Sequence, residues 1–338
     1  MSLPHRVRGT RAALVLFALL AAAAAVADAQ TPVLRYGQAA SAARSIFSLP
    51  IEIAQREKLF EREGLDFRVV IPLPGGSDKM IAALHDDTVD VTHVATTFLV
   101  RAALAGSDAV AIAAEFNNPI YSLVARPEIA RIGDLKGKLV GMADPAGSIA
   151  ISMRKLLALR GLREADIQVK VIEGTPGRLA CLRRGECAAV PLGQPQDLVA
   201  LGEGYRLLGM STEAVPEFLY TVTAARRSWA QANKDTVTRY VRALGAAFRV
   251  IRDPKKRDAV VKAIVDTTGV SPAIAERTLA LYFEPERKVL PRQGEIDMAG
   301  MARVLAFMAE AGLLKAPLPA PERFVDLQYL QSAGIQKQ

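Results

Sequence analysis

In 338 residues the chain has two cysteines, three histidines and one tryptophan. No CxxC or HExxH pattern can be assembled from so few, which excludes a zinc module or a dithiol redox motif. The turn at Gly75-Gly76 has neither GxGxxG nor GKS around it, so no phosphate cradle is legible and no metal or cofactor is expected. Charge of one sign is never concentrated. Lysine and arginine outnumber acids 43 to 35, for a net +8, yet the two signs interleave without a run of five. That excludes a nucleic-acid stripe and leaves a basic surface, at most one that steers an anion. No nucleophile with an adjacent base and no pair of acids stands out, so no catalytic residue is assigned.

Long apolar runs are missing too, except at the start. His5, Arg6, Arg8 and Arg11 precede an apolar stretch of 16 residues, 12–27, and the small-x-small site Ala27-Asp28-Ala29. This pattern predicts an export signal cleaved after Ala29, because roughly 20 apolar residues are needed to span a bilayer core. An uncleaved anchor is the alternative. Cleavage removes three arginines and one aspartate, leaving 309 residues of net charge +6, enough for two α/β domains. In ACLRRGEC, Cys181 and Cys187 flank a Gly185-Glu186 turn. Export permits a disulfide between them; we read them as two separate small core residues, with the disulfide as the alternative.

What is present is alternation of strand and helix with short connections, the pattern of open α/β sheets. The clearest unit is LPIEIAQREKLFEREGLDFRVV, residues 49–70. Leu49, Ile53, Leu59 and Phe60 recur near a period of 3.6, Gly64 ends the helix, and Phe67, Val69 and Ile71 alternate as a half-buried strand does. Strands are expected at 33–37, 89–95, 110–116, 139–143, 168–173, 188–192 and 217–225. Ser77 is expected to cap a helix whose Met80, Ile81 and Leu84 face inward. From 233 onward the pattern is helical.

Residues 49–70 resemble the first helix and second strand of bacterial solute-binding proteins of the nitrate, sulfonate and taurine type (the NMT1/THI5-like family), where a phrase like EKGLFEKEGLD recurs. The segments RIGDLKGKLVGMAD and ERFVDLQYLQSA resemble the family's entry into its second domain and its closing helix. The likeness extends from Val33 to about Ala333, carried by the order and spacing of such phrases. It implies a two-domain periplasmic binding protein type II fold: mixed sheets with flanking helices, hinged by two crossing strands. Residues 30–120 and 221–338 would form one domain and 121–220 the other. It further implies a periplasmic, monomeric protein that delivers a small molecule to an ABC transporter permease in the inner membrane. A sensory ligand-binding module and an exported enzyme on the same fold are the alternatives. Thiamine-pyrimidine synthesis, known in fungal members, goes with a CCCxC-like cluster that this chain lacks.

Open α/β sheets bind ligands beyond the carboxyl ends of their strands. That rule selects the loops at 38–48, 95–97, 117–121, 144–148, 174–177, 193–195 and 218–220. Within them Arg44 is suited to a bidentate carboxylate or sulfonate contact, against the alternative of a solvated loop arginine. Thr96, Thr97 and Ser148 stand at helix starts, where free N–H groups and the dipole favour an anion, or where they merely cap their helices. Phe47, Tyr121 and Tyr220 offer flat apolar faces, whereas Phe98 and Phe116 read as core. Asn117 and Gln194 can hydrogen-bond a planar ligand. The family's W-x-P-like turn is LGQP here, which by resemblance implies a smaller or differently shaped ligand. His85 reads as a surface residue; His93, in VDVTHVA, reads as a packing residue with ligand contact second. The ligand expected is a small organic anion, carboxylate or sulfonate, with an aromatic body allowed.

Overall fold

Two five-stranded sheets organise the chain. The computed structural model describes residues 31–70, 75–215, 218–283 and 288–335; the expected export signal and Ile71 lie outside the described residues. The first sheet has the order β2 (Asp66–Val70), β1 (Val33–Gly37), β3 (Val91–Ala95), β10 (Thr221–Arg226), β4 (Ala109–Phe116). Strands β1, β2 and β3 are parallel, and β10 runs antiparallel to both β3 and β4. The second sheet has the order β7 (Gln168–Val171), β6 (Leu139–Met142), β8 (Ala189–Leu192), β5 (Ser122–Ala125), β9 (Arg206–Met210). It repeats the mixed pattern, with β6, β7 and β8 parallel and β5 antiparallel to β8 and β9.

The chain passes between sheets twice, through residues 117–121 from β4 to β5 and through 211–220 from β9 to β10. The two crossings are hydrogen-bonded to one another: Ser211 N–H donates to the Tyr121 carbonyl at 2.9 Å, and Tyr121 N–H to Ser211 Oγ at 2.8 Å. Among the described residues no helix is long and apolar enough to cross a membrane.

The helix over 49–63 breaks at Lys58, whose φ of 55° is left-handed, giving segments Leu49–Arg56 and Leu59–Arg62. Gly64 (φ 69°) then turns the chain into β2. Phe60 stacks on Phe67 with centroids 3.8 Å apart, so the turn folds helix and strand onto one aromatic contact. Two expectations need correction, and one strand was not expected. Ser77 is the first helical residue of Ser77–His85, not its cap; its Oγ accepts from Ala95 N–H at 2.9 Å instead. The unexpected strand is β9, at an edge of the second sheet. Cys181 and Cys187 are joined in a disulfide, because helix Thr175–Arg183 and the start of β8 bring their Cα atoms within 5.4 Å.

Candidate functional site

A cavity of about 470 Å³ lies where the carboxyl ends of the parallel strands of both sheets converge, a size typical of small-molecule sites. Each loop selected by the strand-end rule contributes to its wall, and so do Gly75, Gly76 and Ser77, the turn before helix Ser77–His85 and that helix's first residue. Four helices point their N-termini at it: Ser77–His85, Thr96–Leu104, Ser148–Leu159 and Thr175–Arg183 begin beside the lining residues Gly76, Ala95, Gly147 and Gly174. Their unpaired N–H groups and dipole ends make the space favourable to negative charge.

One wall is aromatic. Ser45 caps the short 3₁₀ turn Ile46–Ser48 by accepting from Phe47 N–H at 3.3 Å, which fixes Phe47 over the cavity. Its ring meets Phe116 edge-on at 5.0 Å, Tyr220 at 5.7 Å and Tyr121 at 6.3 Å. The Tyr121 and Tyr220 hydroxyls are 3.0 Å apart. Burial pushes both phenols up, Tyr220 well above its usual value, so both stay neutral.

Of the expected site residues, Phe47, Tyr121, Ser148, Gln194 and Tyr220 line the cavity. Gln194 is largely committed within the protein: its amide nitrogen donates to Asp197 at 2.7 Å and its oxygen accepts from the Tyr282 hydroxyl at 3.2 Å. Thr97 stands behind the wall, its hydroxyl 3.4 Å from that of Ser148, and Thr96 Oγ1 is 3.2 Å from the Tyr220 carbonyl. Neither threonine nor Ser148 caps its own helix by its side chain. Asn117 and Arg44 are not among the lining residues. Arg44 ends the helix Ala40–Ala43 with its side chain exposed, because that helix buries no residue and its end faces solvent.

The cation at the cavity is Arg178 instead. It lies in the first turn of helix Thr175–Arg183, 2% exposed. Its Nε donates to the Pro191 carbonyl at 2.7 Å, one terminal nitrogen to the Ile172 carbonyl at 3.1 Å, and the other to Thr175 Oγ1 at 3.2 Å. Every one of these partners is neutral, and among the described residues no carboxylate forms an ion pair with it. Burial pushes the guanidinium down from its usual value, against the opposing influence of Tyr121, Tyr220 and Glu173, but arginine keeps its proton. Two of its five N–H donors remain for a ligand. A signal was present in the sequence: Arg178 precedes Cys181 and Leu182 by three and four residues, which places a charge on the buried face of an amphipathic helix.

Two acids reach the cavity, half-buried Asp144 and exposed Glu173. His93 lines it also, with Nδ1 2.6 Å from the buried Glu115 carboxylate. Among the described residues no group of three or more acids, histidines or cysteines is placed to hold a metal.

Residues 47–273 match the model of a family described as NMT1/THI5 like. The chain belongs to that family. Solved structures share the fold at low identity. The alkanesulfonate-binding protein SsuA from Xanthomonas axonopodis pv. citri, bound to MOPS, is 19% identical over 87% of this chain and 98% of its own, with a TM-score of 0.70. The periplasmic nitrate-binding protein NrtA from Synechocystis PCC 6803 is 12% identical over 90% and 89%, with a TM-score of 0.74. A cysteine-to-serine mutant of DszB in complex with biphenyl-2-sulfinic acid is 15% identical over 90% and 99%, with a TM-score of 0.63. Among curated proteins none matches the sequence.

Proposed function

We propose that this protein is an extracytoplasmic solute-binding protein that captures a small organic anion, a carboxylate or sulfonate, and presents it to an ABC transporter permease. The observation that carries the reading is Arg178, a buried guanidinium hydrogen-bonded only to neutral oxygens at the wall of a cavity ringed by helix N-termini. A desolvated charge is costly unless something opposite meets it. An anion seated there supplies that charge, and Phe47, Tyr121 and Tyr220 give its apolar body a surface to lie on. The family's sulfonate- and nitrate-binding relatives support the same chemistry.

In this reading the two sheets belong to two lobes, 30–120 with 221–338 and 121–220, and the segments at 117–121 and 211–220 act as the hinge. Ligand groups bridging the lobes would favour closure over the open state, and the permease would read the closed form. Arg101 reaching Asp144 at 4.0 Å and Thr97 reaching Ser148 are contacts that closure would make. The ligand is held and released unchanged, by a monomer outside the cytoplasm.

Calorimetry with a panel of carboxylates, sulfonates and their amides tests this. Near-unit stoichiometry for acids, with ligand recovered intact, is the expected result. Amides binding as tightly as acids, or steady conversion that tracks the protein, would overturn it.

A further inference from the structure

Among the described residues, the hydroxyl groups around Arg178 hold more hydrogens than there are protein acceptors for them. A hydroxyl carries one hydrogen and two acceptor positions. Thr175 Oγ1 accepts from an Arg178 terminal nitrogen at 3.2 Å and from Gly193 N–H at 3.4 Å. Both acceptor positions are thereby filled, and no described group accepts the hydroxyl hydrogen that is left. Thr175 is half-buried and lines the cavity.

The tyrosine pair is the second such case. Burial holds both phenols in their protonated form. The contact between their hydroxyls at 3.0 Å uses one of the two hydrogens, whichever ring donates it. The other hydrogen has no acceptor among the described residues. These donors meet at the bare backbone of Gly193, itself part of the cavity wall. A Cβ placed there would lie 3.2 Å from Tyr121 Cε1, and 3.5 Å both from Tyr121 Cζ, which bears the hydroxyl, and from Thr175 Oγ1. Arg178 is hydrogen-bonded to the same Thr175 oxygen, with its Cζ 5.9 Å from the centre of the Tyr121 ring.

We propose that Thr175 and the Tyr121–Tyr220 pair are ligand-binding residues that complete, with Arg178, one seat for an acid group carrying no hydrogen, a carboxylate or sulfonate. This deepens the anion reading above and rests on it. The seat presents two N–H groups of Arg178, the Thr175 hydroxyl and one phenol, as many hydrogens as an ionised carboxylate has acceptor sites, about four. A primary amide would turn two hydrogens of its own against these donors.

Calorimetry with benzoate, benzenesulfonate and butane-1-sulfonate tests it. One charge-assisted hydrogen bond corresponds to about tenfold or more in affinity. The double variant Tyr121→Phe with Tyr220→Phe leaves every bond of Arg178 in place and should weaken each acid by about that factor. Each single phenylalanine variant keeps one phenol with its own hydrogen and should lose less. Thr175→Val should cost a similar factor, and Thr175→Ser, which returns the hydroxyl, should recover most of it. Circular dichroism checks that each variant folds. Infrared difference spectra should show the carboxylate or sulfonate stretch of the bound probe moved in the double variant, a change that a role in packing alone would not produce. Binding within about twofold of wild type by the double variant or by Thr175→Val, or an unmoved stretch, would overturn this inference alone, provided Arg178→Gln still weakens the acids. If none of the three acids binds the wild-type protein, the anion reading falls and this inference with it.

Discussion

The two sheets treat buried charge in opposite ways. In the first, acid and base meet: Glu115 and His93 share a contact of 2.6 Å, and the pair is closed upon itself except at Nε2. In the second, Arg178 is buried at the cavity wall and Asp197 is buried behind Gln194, yet each is satisfied by neutral groups. Asp197 accepts from Ser122 Oγ and Gln194 Nε2, both at 2.7 Å, and from Leu198 N–H at 2.7 Å. A closed pair offsets its own charge, whereas Arg178, with no acid paired to it among the described residues, keeps a field in the cavity. Burial of uncompensated charge lowers stability, and it is of use where a bound molecule provides the compensation. The second sheet therefore carries the electrostatic half of the proposed site, and the first the half that offers shape.

Breaking the closed pair should give the largest effect. Glu115→Ala orphans His93 Nδ1 in the core and leaves Thr223 Oγ1 only the Tyr240 hydroxyl at 3.0 Å, and truncating one partner of a buried acid–base pair costs about 3–5 kcal/mol. Urea unfolding should show this loss with or without ligand. A loss below about 1 kcal/mol would mean the network contributes no more than an ordinary hydrogen bond.

Removing the separated cation should act on binding instead. Arg178→Gln deletes charge-assisted donation of about 1.5–3 kcal/mol, so affinity for a bound acid should fall by roughly one to two decades. Arg44→Ala should leave affinity within about twofold, since that side chain is exposed and outside the cavity wall. Equal losses from the two variants would erase the contrast between the sheets.

The helix that carries Arg178 is also the one held by the disulfide, which ties its last turn to β8, the strand whose Pro191 carbonyl accepts from Arg178. Replacing Cys181 and Cys187 together with serine opens a short loop and should cost about 2 kcal/mol of stability on the chain-entropy account. The NMR signals of His93 in the first sheet should not change. A shift at His93 would show that the two halves are coupled through more than their crossings.

How much of this could be read from the sequence depends on range. The helix–Gly64–strand unit is written in local periodicity and a left-handed turn, so its ends were legible, but the break at Lys58 was not, and Val69 is exposed where alternation had it half-buried. The cavity's position followed from strand ends, which alternation reveals. Which cation faces the cavity did not follow. Arg44 stood in a selected loop and is exposed, while Arg178 stood one residue beyond another and is buried. Only its place on an apolar helical face distinguished it. Glu115 is a lone acid in a strand otherwise apolar, VAIAAEF, and that too was a signal. Its partner, however, is 22 residues away in sequence, across an intervening strand and a bulge that no periodicity announces.

The smallest effect expected is one of pH, and it concerns the other separated charge. Burial raises the Asp197 carboxyl above its ordinary value of 3.8, with the hydrogen bonds from Ser122, Gln194 and Leu198 opposing. The sign follows from proton binding. Between 3.8 and the raised value the folded state holds more protons at this site than the unfolded state does, so stability falls as pH rises through that interval and is level above it. The lowered acids on the surface act in the opposite direction, as Asp108 does: burial would raise it, but its bonds from Ser228 prevail. Total stability therefore mixes the two signs. The difference between Asp197→Asn and wild type isolates one. Measured by urea unfolding, that difference should move in favour of the variant as pH rises from the ordinary carboxylate value and then become constant. A difference independent of pH would mean that Asp197 keeps its ordinary affinity for protons, and with it that the second sheet does not hold its acid in isolation from positive charge.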